Sequence, residues 1–350
     1  MSLDQAPSVR PVSVAGGGWS EYTRLSRQVR QAGLLERRHG WYGARIGLNL
    51  GLLAAGWVGF VVIGGSWWQL VTAAYLAVVF TQLAFVGHDA GHRQLFRSRR
   101  ANDLVGLLHA NLLTGISFGW WVPKHNAHHS NPNHEELDPD ISITALAFTP
   151  EQASSKHGLV RLVARYQGWL FFPLLGLEAA HLHTASVKAV LGGRGRANAV
   201  EGLLLVVHLA AYLTALWLVL QPLQALVFLA VQQGLFGLYL GCAFAPNHKG
   251  MPTLTEADEL DFVRRQVLTS RNVAGSRLVD WLLGGLNYQI EHHLFPNMPR
   301  PNLRHAQPLI QAFCRQHDLA YVEASLFGSY AQAVRHLHSV GAPLRAAVAE

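Results

Sequence analysis

The chain alternates between long apolar stretches and polar stretches rich in histidine. Two windows, residues 46–92 and 198–245, contain no lysine or arginine. Each window divides at a short turn, near Gly65 and Pro222, which leaves four apolar runs: residues 46–63, 69–87, 199–220 and 223–245. A helix needs about 20 apolar residues to cross a bilayer. The pattern therefore predicts an all-α integral membrane protein with four transmembrane helices in two hairpins.

Two further apolar stretches, residues 104–122 and 166–187, carry polar interruptions. The first contains His109 and Asn111, and the second contains Glu178. Because polar groups are costly inside the hydrocarbon region, we interpret both stretches as interfacial helices that lie along the cytoplasmic leaflet.

The same pattern divides the chain into three regions. Residues 1–45 are predicted to form a cytoplasmic N-terminal segment, and residues 1–18 within it look disordered. Residues 46–310 are predicted to form the membrane domain, and residues 311–350 a cytoplasmic helical tail.

Composition and charge agree with a membrane location. Of the 350 residues, 50% are hydrophobic and 14% are charged, whereas soluble domains carry about 25% charged residues. The net charge of +7 does not indicate nucleic acid, because the basic residues flank the apolar windows. The positive-inside rule then places both termini and the middle segment in the cytoplasm. The two cysteines, Cys242 and Cys314, exclude a disulfide framework.

Histidine is the residue type that indicates which chemistry this chain performs. Seven of the 19 histidines fall in three histidine boxes: His88-Asp89-Ala90-Gly91-His92, His125-Asn126-Ala127-His128-His129 and Gln289-Ile290-Glu291-His292-His293. On a helix, positions i, i+3 and i+4 share one face. The two predicted hairpins also return the chain to the same side of the membrane after each pair of spans. We therefore expect the boxes to meet in a cytoplasmic helical cap and to form a metal centre.

The number of imidazoles indicates two metal ions, since one zinc takes only three or four protein ligands. Iron is favoured because no thiolate is available and oxidative chemistry on lipid suits the location. Nearby carboxylates can orient the imidazoles or lie in solvent: Asp89, Glu135, Glu136, Asp138, Asp140 and Glu291. Seven other histidines are predicted to be surface groups: His39, His134, His157, His305, His317, His336 and His338. His208 is predicted as a polar residue within a span. For His109, His181 and His183, an ordinary position and a place at the substrate entrance both stay open.

These motifs resemble the membrane-bound fatty acid desaturases, a family with three histidine boxes. The similarity covers roughly residues 40–310 and is closest to the front-end branch, whose third box begins with glutamine, as Gln289 does here. It is most specific in the segment from Gly285 to Arg300, which contains the third box, and it extends to Pro132 and Asn133 after the second box.

The resemblance implies a di-iron centre that uses O2 as a co-substrate. It adds His248, after the last span, to the seven box histidines as an iron ligand, and it makes Gln289 a weaker or water-mediated contact. Asp89, Glu291 and Asn247 are expected around these ligands. The chain has no His-Pro-Gly-Gly heme motif, so we expect neither heme nor flavin in the chain. An external electron donor is then required, ferredoxin or cytochrome b5 with a reductase.

The implied activity is the introduction of a cis double bond into an acyl chain carried by coenzyme A, acyl carrier protein or a lipid. Phe118, Trp120 and Trp121, beside the second box, either line the acyl channel or anchor the protein at the membrane interface. A di-iron hydroxylase or ketolase acting on a lipid, alkane or carotenoid remains open, because histidine spacing does not separate these reactions. A zinc hydrolase or a metal-binding membrane receptor is the alternative from another class. The composition predicts membrane lipid, and no nucleic acid, as a partner.

Overall fold

The computed structural model describes residues 18–142 and 145–346, and it is predominantly helical in these ranges. Most of the predicted disordered segment, residues 1–17, therefore lies outside the described residues. The α-helices are α1 (Gly18–Gln31), α2 (His39–Ile63), α3 (Gln69–Gly91), α4 (Arg99–Leu107), α5 (Phe118–Ser130), α6 (Pro150–Ser154), α7 (Gly158–Leu175), α8 (Glu178–Gly192), α9 (Arg196–Val219), α10 (Pro222–His248), α11 (Phe262–Leu268), α12 (Arg277–Leu282), α13 (Gln289–Leu294), α14 (Arg300–Gln316), α15 (Leu326–Val340) and α16 (Ala342–Ala346). A π-helix (Leu108–Thr114) follows α4, and two short strands are β1 (Asn272–Ala274) and β2 (Glu323–Ser325).

Four of the described helices are long and apolar enough to cross a membrane, namely α2, α3, α9 and α10. They coincide with the four predicted spans, which are confirmed as helices of suitable length and composition. The helices extend beyond several of the apolar runs because the helical backbone continues through polar ends that hydropathy does not detect. At its last residue, for example, α10 carries His248.

The described chain divides into two compact units, which we treat separately. The membrane unit comprises residues 37–123 and 172–242, and the histidine unit comprises residues 18–36, 124–171 and 243–346. In the membrane unit, α2 and α3 pack closely. A Cβ atom at Gly56 of α2 would lie 2.6 Å from Leu76 Cδ2, so any larger residue at this position would displace the side chain of Leu76. Tyr75 OH also donates to the Leu52 carbonyl over 2.8 Å.

The stretch 104–122 is not one helix. It comprises the end of α4, the π-helix and the start of α5, and Gly115 breaks it with a left-handed backbone (φ 72°). Side chains satisfy the backbone N–H groups that open α5. Ser117 N donates to Ser186 Oγ (2.8 Å), Phe118 N to Asn111 Oδ1 (3.0 Å) and Gly119 N to Glu201 Oε2 (3.0 Å). We call this arrangement the α5 cap. It provides acceptors for the backbone N–H groups that the start of a helix otherwise leaves unpaired.

The stretch 166–187 is also broken, because α7 ends at Leu175 and α8 begins at Glu178. Pro173, which has no N–H, lies in the last turn of α7. Apolar side chains at helical spacing are exposed on this helix, including Leu159 and Trp169. Among the described residues, neither this stretch nor residues 104–122 supplies a helix that qualifies as a membrane span.

The histidine unit has an apolar core formed by α1, α11, α13 and α14. Its buried residues include Leu25 of α1, Val263 of α11, Ile290 of α13 and Ile310 of α14. The predicted boundary between residues 310 and 311 falls inside α14.

The prediction of an all-α chain needs one correction, because β1 and β2 pair as a parallel two-stranded sheet. Asn272 lies opposite Glu323, and Ala274 lies opposite Ser325. Strands of three residues are too short to produce a detectable alternation of apolar and polar positions.

Candidate metal centre

His128 lies near the C-terminal end of α5 and is held by Asp138. Its Nδ1 is 3.0 Å from both carboxylate oxygens of Asp138, which also accept the backbone N–H groups of Asn133 and Asp140 over 2.8 Å. Burial disfavours the imidazolium, but the charges of Asp138 and Asp140 outweigh burial and raise the pKa of His128. The same carboxylates favour a cation on the other ring nitrogen, Nε2.

Two more buried histidines are oriented in the same way by different acceptors. His248 Nδ1 donates to the Thr269 carbonyl over 3.0 Å, and His293 Nδ1 donates to Gln266 Oε1 over 2.8 Å. Gln266 Nε2 donates to the His129 carbonyl over 3.0 Å, so its oxygen must face His293. Because each Nδ1 carries the proton, the lone pair of each neutral ring lies on Nε2.

The rings of these three histidines converge. His128, His248 and His293 each place one ring nitrogen within 4.8 Å of those of the other two. The Nε2 atoms of His248 and His293 are only 3.1 Å apart. Two ring nitrogens at this distance repel each other unless a proton or a metal ion lies between them. The donor set therefore fits a metal ion that accepts imidazole nitrogen.

The remaining histidines of the second and third boxes lie beside this group. The ring of His129 stacks on His293 with a centroid distance of 4.1 Å, and the ring of His292 is 4.7 Å from that of His129. The Nε2 atoms of His125 and His129 are 3.2 Å apart. The structure thus brings together the six predicted ligands that belong to the histidine unit.

Gln289 contacts both His248 and Asn247. Its amide nitrogen is 2.8 Å from His248 Nε2, and its amide oxygen accepts from Asn247 Nδ2 over 3.1 Å. Asn247, expected to lie around the ligands, therefore reaches the centre through Gln289, and it is not hydrogen-bonded to an imidazole in the described contacts.

Glu291 is fully buried and connects α13 to the strands. Its carboxylate accepts from Asn272 Nδ2 (2.7 Å) and from Tyr321 OH (2.8 Å). Burial raises the pKa of Glu291 to about 7, although the hydrogen bonds from Asn272 and Tyr321 oppose the shift. Glu291 thus ties the third box to β1 and to the segment before β2.

The first box lies in the membrane unit, at the C-terminal end of α3. The rings of His88 and His92 are 4.7 Å apart, and Asp89 Oδ1 is 3.3 Å from His88 Nδ1. Asp89 therefore lies within hydrogen-bonding distance of the His88 ring. The ring of Trp121 is 5.5 Å from that of His88.

The other two predicted channel residues differ in their surroundings. Phe118 is buried against Gly106, where a Cβ atom would lie 2.3 Å from the Phe118 ring, and Trp120 is half-buried. The membrane unit contains a cavity of about 360 Å³, lined by residues such as Trp57, Phe80 and Tyr212. Phe118, Trp120 and Trp121 are not among the described residues that line it.

Several histidines outside the boxes are buried or half-buried and form hydrogen bonds. His109 Nδ1 is 2.9 Å from the Val105 carbonyl, and burial lowers its pKa. His183 bonds the Gly115 carbonyl and Gln233 over 2.9 and 3.0 Å. His134 was predicted to be a surface group, but it is 8% exposed. The prediction was wrong because His134 pairs with Leu254 in an isolated bridge, a contact between segments that are distant in the sequence.

Four apolar helices of membrane-spanning length and buried histidine clusters able to hold metal ions are features of a membrane metalloenzyme. A family model described as fatty acid desaturase matches residues 65–325. The chain belongs to the fatty acid desaturase family, whose members are oxidoreductases, and the resemblance stated from its sequence is confirmed.

Characterised relatives agree with the family match. The chain is 32% identical to an acyl-lipid (9-3)-desaturase of Physcomitrium patens over 77% of this chain and 53% of that protein. It is 32% identical to a delta(6)-fatty-acid desaturase of Caenorhabditis elegans over 81% of this chain and 67% of the relative. It is 27% identical to a delta(8)-fatty-acid desaturase of Helianthus annuus over 93% of this chain and 74% of the relative. The chain thus spans about half the length of the moss protein and more of the other two.

Proposed function

We propose that the protein is a membrane-bound desaturase that uses O2 and two external electrons to introduce a cis double bond into a fatty acyl chain. Its relatives carry the names of acyl-lipid and fatty-acid desaturases, which supports a fatty acyl group as substrate. Two iron ions, when bound, supply the oxidising power that removes hydrogen from an unactivated methylene group. The protein's own residues hold the ions, orient the acyl chain and exclude water.

The proposed ligands of the two irons are the seven box histidines and His248. For the histidine unit, the support is the convergence of one ring nitrogen each from His128, His248 and His293, whose rings are each held by an acceptor at Nδ1. This observation carries the proposal. For His88 and His92 the support is the first box of the family pattern and the contact with Asp89.

Gln289 is proposed to act through a hydrogen bond or a bound water, not as a full ligand. Its amide nitrogen faces His248, and an amide nitrogen that carries protons has no lone pair to offer a metal. Asn247 holds the amide in this orientation through its contact with the Gln289 oxygen.

Metal analysis tests the di-iron proposal against a zinc site. The protein purified from cells in iron-replete medium is expected to contain close to two irons per chain, and His128→Ala is expected to contain less iron. His305→Ala is the matched control, because His305 is an exposed histidine of the same unit. One zinc per chain and no iron would overturn the proposal.

We further propose that both termini and the histidine unit lie on the cytoplasmic side, with α2–α3 and α9–α10 as two hairpins. The electron donor is proposed to be a separate ferredoxin or cytochrome b5 with its reductase. Expression in a host of known lipid composition, followed by mass spectrometry, tests the reaction. Products two mass units lighter than the substrate are expected, only with oxygen and a donor. Products sixteen mass units heavier would instead identify a hydroxylase.

A further inference from the structure

Arg271 is the largest fully buried side chain of the described residues. Its Nε and Nη2 both donate to the Pro246 carbonyl (2.9 and 2.5 Å), Nη2 also donates to the Lys249 carbonyl (2.8 Å), and Nη1 donates to Gln332 Oε1 (2.6 Å). Burial lowers the pKa of this guanidinium to about 10, so it stays charged at neutral pH. No carboxylate forms an ion pair with Arg271 within residues 18–142 and 145–346. A buried charge without a counter-ion is costly, so its retention calls for a specific role.

The carbonyl groups that Arg271 binds surround His248. Pro246 and Lys249 lie on either side of this ligand, and the backbone N–H of Arg271 donates to the Asn247 carbonyl over 2.8 Å. The last carbonyls of a helix lack partners within the helix, and the helix dipole makes this end negative. A planar guanidinium satisfies several such carbonyls at once in a fixed geometry.

The same short segment also orients the imidazole of His248. The Thr269 carbonyl, two residues before Arg271, accepts the Nδ1 proton of His248. Residues 269–271 therefore control the backbone on both sides of His248 and the rotation of its ring.

We propose that Arg271 is a positioning residue for the metal centre: it fixes the C-terminal turn of α10 so that His248 Nε2 points at the metal. Gln332 of α15 extends this arrangement by holding the far side of the guanidinium. The inference rests on the proposed function, because it assumes that His248 binds iron.

The test is a double-mutant cycle on the full-length protein loaded with ferrous iron under anaerobic conditions. The rate of iron release to a chelator is measured for the wild type, Arg271→Lys, His248→Ala and the double variant. Loss of a residue that orients a ligand typically weakens metal binding by about 10- to 100-fold. We expect Arg271→Lys to accelerate release by about tenfold or more. We expect the double variant to release iron at the rate of His248→Ala, because the two residues act on one ligand.

A general effect on folding gives a different result. If Arg271 only stabilises the fold, the factors by which the two single variants accelerate iron release multiply in the double variant, and the inference is overturned. Arg345→Lys is the matched control. The Arg345 guanidinium also binds two backbone carbonyls, those of Arg165 (2.8 Å) and His338 (2.7 Å), away from the boxes. Its iron release is expected to equal that of the wild type.

A milder variant keeps the test decisive if Arg271→Lys does not fold. Gln332→Leu leaves the guanidinium in place and removes one of its acceptors, and it is expected to accelerate iron release by a smaller factor. Iron release from this variant at the wild-type rate would contradict the inference. Failure of the wild type to bind iron would instead contradict the proposed function. Normal iron release from Arg271→Lys, alongside rapid release from His248→Ala, would contradict the role of Arg271 alone.

Discussion

Each of the three converging imidazoles donates its Nδ1 proton to a different kind of acceptor. His128 uses a carboxylate, His248 a backbone carbonyl and His293 a side-chain amide. A charged acceptor makes the ring a stronger donor to metal than a neutral acceptor does. We therefore expect His128 to be the most basic of the three ligands.

Asp138→Asn tests the contribution of the charged acceptor. The amide removes the negative charge and presents N–H groups to an imidazole that also carries a proton at Nδ1. We expect iron affinity to fall by about 10- to 100-fold, with the chain still folded. Glu136→Gln is the control, because the side chain of Glu136 is 53% exposed. Wild-type iron content and turnover in Asp138→Asn would show that His128 does not depend on this carboxylate.

A second prediction at the residue scale concerns Gln266. Gln266→Ala leaves His293 Nδ1 without its acceptor and the His129 carbonyl without its donor, so iron retention and turnover are expected to fall together. Gln266→Glu restores the acceptor for His293 only, and we expect partial recovery of iron. Equal iron loss in both variants, measured on matched preparations, would contradict this account.

The sequence identified the box histidines because their spacing is local, but of the residues that orient the three converging histidines it identified only Asp138. Gln266, Thr269 and Arg271 lie between the last predicted span and the third box, in a segment without a recognisable motif. Thr269 acts through its backbone carbonyl, which any residue possesses, so side-chain identity carries no signal of this role. Asp138 was among the candidate carboxylates because it follows the second box closely.

At the scale of elements, hydropathy predicted the four long helices well and the irregular connections poorly. A run of apolar residues identifies a span by itself, because the signal does not depend on the residues that the helix contacts in the fold. The break at Gly115 depends on a left-handed backbone, and the pairing of β1 with β2 depends on residues about fifty positions apart. Neither feature has a local pattern of apolar residues.

The α5 cap leads to a prediction about stability. Glu201 Oε2 accepts hydrogen bonds from Asn111 Nδ2, Ser117 Oγ and Gly119 N. Glu201→Ala leaves these donors, two of them on the buried side chains of Asn111 and Ser117, without this acceptor, and we expect a loss of about 1–3 kcal/mol in the free energy of unfolding. Gly119→Ala should also destabilise the protein, because its Cβ atom would lie 2.0 Å from Glu201 Oε1. Unfolding in detergent measures both effects.

The control for this prediction is Asp103→Ala. Asp103 pairs with Arg99 on the surface of α4, and its side chain is 43% exposed. An exposed pair of this kind contributes about 0.3–0.5 kcal/mol. If Glu201→Ala were no more destabilising than Asp103→Ala, the cap would not contribute to the stability of the fold.

At the scale of the whole molecule, the histidine unit is assembled from three separate stretches of chain, residues 18–36, 124–171 and 243–346. Hydropathy divides a sequence at changes in composition, so it cannot detect that distant stretches share a core. Leu25 of α1, which shares one buried cluster with residues of α11, α13 and α14, illustrates this limit.

The prediction at the scale of the whole molecule concerns which segments lie on each side of the membrane. Cysteines introduced singly at Arg97, Ser155 and Ser325 are expected to react only after the membrane is permeabilised, whereas a cysteine at Ser66 should react from outside. The reason is the asymmetry of basic residues along the chain. The signal of the unmodified protein, which contains Cys242 and Cys314, serves as the baseline. External labelling at Ser155 with internal labelling at Arg97 would show that the intervening apolar stretch crosses the membrane.

The parallel pairing of β1 with β2 also constrains the order of events during biosynthesis. A ribosome synthesises the three boxes and His248 before it reaches β2, so the nascent chain carries its histidines while Asn272 still lacks its partner strand. Tyr321 and Gln332, which bind Glu291 and Arg271, are also translated late. The side chains of the histidine unit can therefore reach their final orientation only after these residues have been translated. Iron delivery would then act on a nearly finished polypeptide already inserted in its membrane.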